Sequence, residues 1–149
     1  MVEQQDAVIQ QLIERALALH ARNFNCAQCV ACTLAPLVEA SEDSTFRLME
    51  GFGSGMGCKT ETCGAVAGAV AMLGAANSFG PANPTSKQAT YALSAECVRR
   101  FRKVHGTTEC RAIRGTDAPG PLPVCDDCIA DCVRIGAEII FERQAQIEQ

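Results

Sequence analysis

Cys63-Gly64-Ala65-Val66-Ala67-Gly68-Ala69-Val70-Ala71-Met72-Leu73-Gly74-Ala75-Ala76 is the stretch on which the fold turns. It is almost wholly apolar, yet too short and too rich in Gly and Ala to span a bilayer. A helix made of such residues has no polar face and belongs in the middle of a bundle. Thr60 or Thr62 is placed to cap it, and its reading runs to about Ser78. Gly64, Gly68, Ala71 and Ala75 recur at three- and four-residue steps, which lets a neighbouring helix approach closely.

Working outward, every flanking segment also reads as helix or turn. Residues 3–22 carry Val8, Leu12, Ile13, Ala16, Leu17 and Leu19 at helical spacing. Asn25 is an N-cap for a second helix through about Val38, which Pro36 kinks or ends. Ser41 or Asp43 caps a short third helix through Glu50. Gly51-Phe52-Gly53-Ser54-Gly55-Met56-Gly57-Cys58 then needs an irregular backbone, because alternate glycines disfavour a helix. Beyond the central helix, Gly80–Pro84 is a turn, and residues 86–104 form a helix that His105-Gly106 ends. Glu109–Ile113 is at most one short turn, and Gly115–Val124 is a loop by its glycines and prolines. The last helix covers about Asp126–Gln146. No strand pattern, repeat or linker interrupts this series. The expectation is an all-α, compact bundle of five or six helices around a buried Gly/Ala-rich central helix, in a single domain over residues 1–149.

The chain's 149 residues suffice for a core of their own, and 48% are hydrophobic, which excludes disorder. A formal charge of −4 argues against nucleic acid as a partner. The opening Met-Val-Glu-Gln-Gln-Asp has neither a basic flank nor an apolar run, so no secretory signal or membrane segment is expected and the assigned compartment is the cytoplasm. In that reducing setting the ten cysteines point to metal binding, an iron–sulfur cluster or thiol redox chemistry, not to a disulfide framework.

Cys58 and Cys63 flank the entrance to the central helix. Free N–H groups and the positive end of the helix there stabilise thiolate, the form that ligates metals and attacks disulfides. Phosphate is the rival use of such a loop, but Gly57-Cys58-Lys59-Thr60 has the Lys and hydroxyl in the wrong register for a phosphate-binding loop. Cys125, Cys128 and Cys132 share one face if the last helix includes them; Asp117, Asp126, Asp127 and Asp131 surround them, and a bound cation would offset those acids. Cys110 lies in a basic stretch with Arg99, Arg100, Arg102, Lys103, Arg111 and Arg114, which lowers a thiol's pKa and would balance an anionic cluster. Cys26, Cys29 and Cys32 are spread round a helix by their spacing, so Cys26 alone is the better ligand. Cys97 reads as core, and His20 and His105 as helix-end residues. Val30 and Ile129 follow the two Cys-x-x-Cys runs where covalent haem attachment needs His. Thioredoxin-like strands and paired zinc-finger histidines are also missing.

Phe24-Asn25-Cys26-Ala27-Gln28, the Gly51–Gly57 loop, Cys63-Gly64-Ala65-Val66-Ala67-Gly68, Cys110-Arg111 and a last helix opening with Cys128 together resemble the C-GCAxxG-C-C redox-active protein family. The resemblance spans about residues 8–142, and the Cys-Gly-Ala-x-x-Gly segment is its most specific part. A similar domain occurs in split-Soret cytochromes, with a non-haem iron–sulfur centre. The resemblance implies a small helical redox protein, with Cys58, Cys63, Cys110 and Cys128 as metal ligands and Cys132 as an alternative to Cys128. Here Cys63 precedes Gly64, so the literal Gly-Cys-Ala order is absent.

Three functions follow as expectations. The first is an iron–sulfur cluster held by Cys58, Cys63, Cys110, Cys125, Cys128 and Cys132, with Cys26 as a further candidate, serving electron transfer or redox sensing with a redox partner protein. The second is a metal-free thiol–disulfide oxidoreductase or sensor cycling Cys125/Cys128 or Cys58/Cys63. The third is a zinc or copper(I) binder. The small-residue face of the central helix also allows a homodimer, although packing within the bundle accounts for it equally well.

Overall fold

A computed structural model describes residues 2–149. The described residues form seven α-helices: α1 (Val2–Ala21), α2 (Cys26–Leu34), α3 (Glu42–Met49), α4 (Gly64–Asn77), α5 (Lys87–His105), α6 (Cys110–Arg114) and α7 (Pro123–Glu148). The seventh over the expected five or six is α6, whose five residues form a full helical turn. The described residues contain no strand beyond one isolated bridge between Thr62 and Glu109.

The chain's punctuation explains the boundaries. Asn25 and Gln28 form a reciprocal cap: the Gln28 N–H donates to Asn25 Oδ1 at 2.9 Å, and the Asn25 N–H to Gln28 Oε1 at 3.0 Å. Pro36 ends α2 at Leu34, and a 3₁₀ turn (Ala35–Val38) carries the chain to a left-handed Glu39. Of the two expected caps for α3, Ser41 serves, accepting from the Ser44 N–H at 3.2 Å. Gly106, left-handed at φ 79°, closes α5 as expected. Helix α4 starts later than Thr60 or Thr62 suggested, with Cys63 itself at the N-cap position. Helix α7 starts earlier than expected, because Pro123 suits its first turn; Cys125 and Cys128 therefore both stand on the helix.

Helix α4 lies at the centre, against α2, α5 and α7, and α7 also packs on α1. Ile9, Leu34, Leu73, Phe101, Ile129 and Ile140 are among the fully buried side chains of one contiguous core. The small-residue face of α4 meets α2 within this chain: a Cβ on Gly68 would stand 2.6 Å from the Ala27 carbonyl oxygen. The stripe stops short of Ala75, which is exposed. No helix among the described residues is long and apolar enough to cross a membrane.

A candidate redox centre lined by cysteines

Helix starts bring the thiols together. Cys26 is the first residue of α2, Cys63 is the N-cap of α4, Cys110 is the first residue of α6, and Cys125 and Cys128 stand in the first two turns of α7. These five cysteines, with Ser54, Gly64, Ile113 and Arg114, line a small chamber of about 40 Å³. Each helix start contributes unpaired N–H groups and the positive end of its dipole. No His or carboxylate lines the chamber.

Local hydrogen bonds fix each approach. The Cys63 N–H donates to the Thr108 carbonyl at 2.7 Å and the Cys110 N–H to the Glu61 carbonyl at 2.8 Å, so α4 and α6 begin side by side. Asn25 Nδ2 donates to the Glu50 carbonyl at 2.9 Å, which ties the Cys26 end of α2 to the glycine-rich loop. Two glycines clear the space. A Cβ on Gly64 would stand 2.5 Å from Cys26 Sγ, and one on Gly55, already at φ 56°, would stand 2.5 Å from Cys110 Cβ. Ser54, Met56 and Lys59 share the left-handed backbone of this loop, a costly conformation for residues with a Cβ.

The thiols differ in electrostatics. The neighbouring Cys128 thiol and the N–H groups of Ala65 and Val66 favour the Cys63 anion, so its pKa is lowered despite its burial. Cys128 is correspondingly raised, since its proton bridges the pair. Burial pushes Cys26 up to about 11, against the opposing N–H groups of Ser54 and Ala27. Cys110 is also raised, chiefly by burial and by the neighbouring Cys63 charge. This corrects the expectation that the basic stretch lowers it: Arg99 and Arg100 are engaged by Glu96, Arg100 also by Glu142, and Arg111 by Asp117. Of the six basic residues, Arg114 is the one on the chamber wall, its Nη1 donating to Cys125 Sγ at 3.6 Å. A second donor, the Leu122 N–H, reaches the same sulfur at 3.4 Å.

The other expected residues stand elsewhere. Cys58 is exposed on the turn Gly55–Lys59, where its sulfur meets Thr60 Oγ1 at 3.1 Å. That hydroxyl, not a helix start, lowers its pKa. Cys132 is fully buried and off the chamber wall. Cys29 and Cys32 are buried in the core, with their thiols toward the Phe24 and Glu42 carbonyls at 3.5 and 3.9 Å. The acids near the last cysteines find partners away from the thiols: Asp126 takes His20 Nδ1 and Asp131 takes His105 Nε2, each at 2.7 Å. Among the described residues, no three Cys, His, Asp or Glu side chains converge tightly enough to hold one metal ion.

Sequence reasoning missed three contributors. Ser54 and the Arg114–Cys125 contact depend on loop paths that no short motif encodes. The His105–Asp131 pair, stacked on Phe101 with ring centroids 4.4 Å apart, joins residues 26 positions apart.

No curated protein and no solved structure matches the chain. Residues 24–139 match the family described as "Putative redox-active protein (C_GCAxxG_C_C)", and they contain all five cysteines of the chamber. The chain belongs to that C_GCAxxG_C_C family of redox-active proteins.

Proposed function

We propose that the chamber holds an iron–sulfur cluster on Cys26, Cys63, Cys110 and Cys128, and that the protein transfers or senses single electrons with a redox partner protein. One observation carries this reading: thiols from four separate helix starts face one buried space. The donor set fits the group, since thiolates are the usual ligands of iron–sulfur clusters. A cluster's ligands bind different iron atoms, so they need a ring of thiols, not three donors on one point. When bound, the cluster would supply one-electron redox chemistry. The chain's part is to exclude water with Ile113 and the α4 wall, to offer N–H groups to sulfur, and to place the Arg114 charge nearby. This ligand set takes Cys26 in place of Cys58, because Cys58 faces solvent.

The test is reconstitution with iron and sulfide under anaerobic conditions. Visible absorption with matched iron and acid-labile sulfide is expected, and its loss in Cys26→Ser and Cys110→Ser but not in Cys58→Ser. A colourless protein without iron would refute the cluster.

The Cys63–Cys128 contact favours a second reading, a dithiol that closes to a disulfide. The Cys63 thiolate and Cys128 thiol would lose two electrons and one proton to a disulfide oxidant. Iron-free protein losing two thiols on oxidation, with Cys63 and Cys128 cross-linked in the peptide map, would establish that chemistry. Elemental analysis of the same preparation separates both readings from a zinc or copper(I) protein.

A further inference from the structure

Outside the chamber lies a larger pocket of about 250 Å³, and the two share Cys26, Ser54, Arg114 and Cys125 in their walls. It has room for several water molecules' worth of ligand, at about 30 Å³ each. His20 and Phe24 line its outer part. Cys125 is half-buried here, whereas Cys63, Cys110 and Cys128 are buried. Its sulfur is the one that receives both a guanidinium N–H and a backbone N–H. Arg114 is anchored by Nη2 to the Ala118 and Gly120 carbonyls, while its buried Nε has no partner. An unmet buried donor is costly and marks a place where an acceptor is missing. No carboxylate lines the pocket, and Asp126 is taken by His20.

We propose that this pocket binds a small disulfide carrying a carboxylate and that Cys125 is the thiol that attacks it. The carboxylate is drawn by the charge of the Arg114 guanidinium on the pocket wall. Cys125 gives up its proton to water as its sulfur forms a new S–S bond with one sulfur of the disulfide, and the other sulfur leaves as a thiolate. Exchange leaves the count of disulfides unchanged, so no further oxidant is needed. The assignment goes beyond the cluster reading and stands with the chamber filled or empty, because Cys125 is not among the four proposed ligands.

The probes are 5,5′-dithiobis(2-nitrobenzoate), a disulfide with carboxylates, and cystamine, a disulfide with ammonium groups. Full-length protein carrying Cys58→Ser is used, which removes the exposed thiol. One equivalent should react in a fast phase, with the mixed disulfide on Cys125 in the peptide map. Dividing each rate by the same probe's rate with a small free thiol removes the difference in leaving group; the normalised rate should be at least tenfold higher for the anionic probe, and Arg114→Gln should erase that preference. Cys125→Ser should abolish the fast phase while iron content and visible absorption persist. A fast label on another cysteine, or equal normalised rates for the two probes, would overturn the assignment. So would bleaching of the cluster in step with labelling, which would make Cys125 a ligand. Protein that binds no iron but still labels first at Cys125 would refute the cluster alone.

Discussion

Two glycines on the same helix should respond in opposite directions to the same substitution. Gly68 and Gly74 both lie inside α4. Alanine at either gains about 1 kcal/mol from helix propensity alone. At Gly74 nothing stands within 4 Å of the new Cβ, so that gain is kept. At Gly68 the Cβ would meet the Ala27 carbonyl oxygen at 2.6 Å, and the Ala27 carbonyl carbon and Ala31 nitrogen both at 3.3 Å. All three are backbone atoms of α2, so no rotamer change relieves the clash. Helix α2 cannot slide away freely, because the Asn25–Gln28 cap, the Gln28 Nε2 bond to the Phe46 carbonyl and the Asn25 bond to Glu50 hold its first turn. Overpacking of this kind costs about 1–3 kcal/mol, which cancels or exceeds the propensity gain. The difference between the two variants removes the shared propensity term and should be about 1–3 kcal/mol, with Gly74→Ala the more stable. Urea unfolding of the reduced, metal-free protein measures both, and unchanged m-values would show that the unfolded reference is common. In thermal melts the gap should be about 2–12 °C for a chain of this size. Equal stabilities would show that α2 and α4 do not cross in backbone contact at Gly68, and the position of Cys26 beside Gly64 would lose its support.

Further outcomes follow from the thiols and the loop. Burial raises Cys29 and Cys97 to about 12 and Cys32 to about 11, against an ordinary value of 9.0. Folded-state values above the unfolded ones mean that this stability is complete below pH 9 and is lost as pH climbs toward 11–12. Each such thiol should remove about 1.4 kcal/mol per pH unit in that window, and Cys97→Ala should make the decline shallower by about that amount; a stability flat from pH 9 to 10.5 in reducing urea titrations would contradict the burial. Gly64→Ala should displace Cys26 Sγ, which lies 2.5 Å from the added carbon, and cut iron retained after reconstitution severalfold while circular dichroism stays helical. Arg100→Ala should cost about 1 kcal/mol in urea melts, because its guanidinium joins Glu96 on α5 to Glu142 on α7 while itself mostly shielded from solvent.

The helices were legible because composition and punctuation spoke clearly: the apolar run after Cys63 made α4 central, and Asn25, Ser41 and Gly106 fixed ends by known capping chemistry. Boundaries near the site were harder to read. Thr60 and Thr62 look like caps, but the loop's left-handed residues delay the helix until Gly64, which turns Cys63 into the cap and leaves Cys58 on the outside. The spacing of Cys26, Cys29 and Cys32 already singled out Cys26, and its place at the first residue of α2 sets it apart from the other two. The charge reading of Cys110 failed for a physical reason: sequence proximity to arginines counts for little when those arginines are spent on carboxylates and the thiol is desolvated.

The environments of the ten cysteines divide by physics, not by number. Five line the chamber, one faces solvent, and Cys29, Cys32, Cys97 and Cys132 are fully buried in the core. Buried thiols behave as small apolar fillers, and desolvation holds their protons on even where Arg15 stands near Cys32 and Arg100 near Cys97. Cys29, Cys32 and Cys97 carry raised pKa values for that reason. In the chamber the same desolvation is opposed by helix starts. At Cys63 the opposition wins, because the Cys128 proton and the first N–H groups of α4 act on one sulfur together. Cys26 and Cys110 also stand at helix starts, yet burial raises both, so a helix start wins over desolvation here only where its N–H groups and a neighbouring thiol act on one sulfur together.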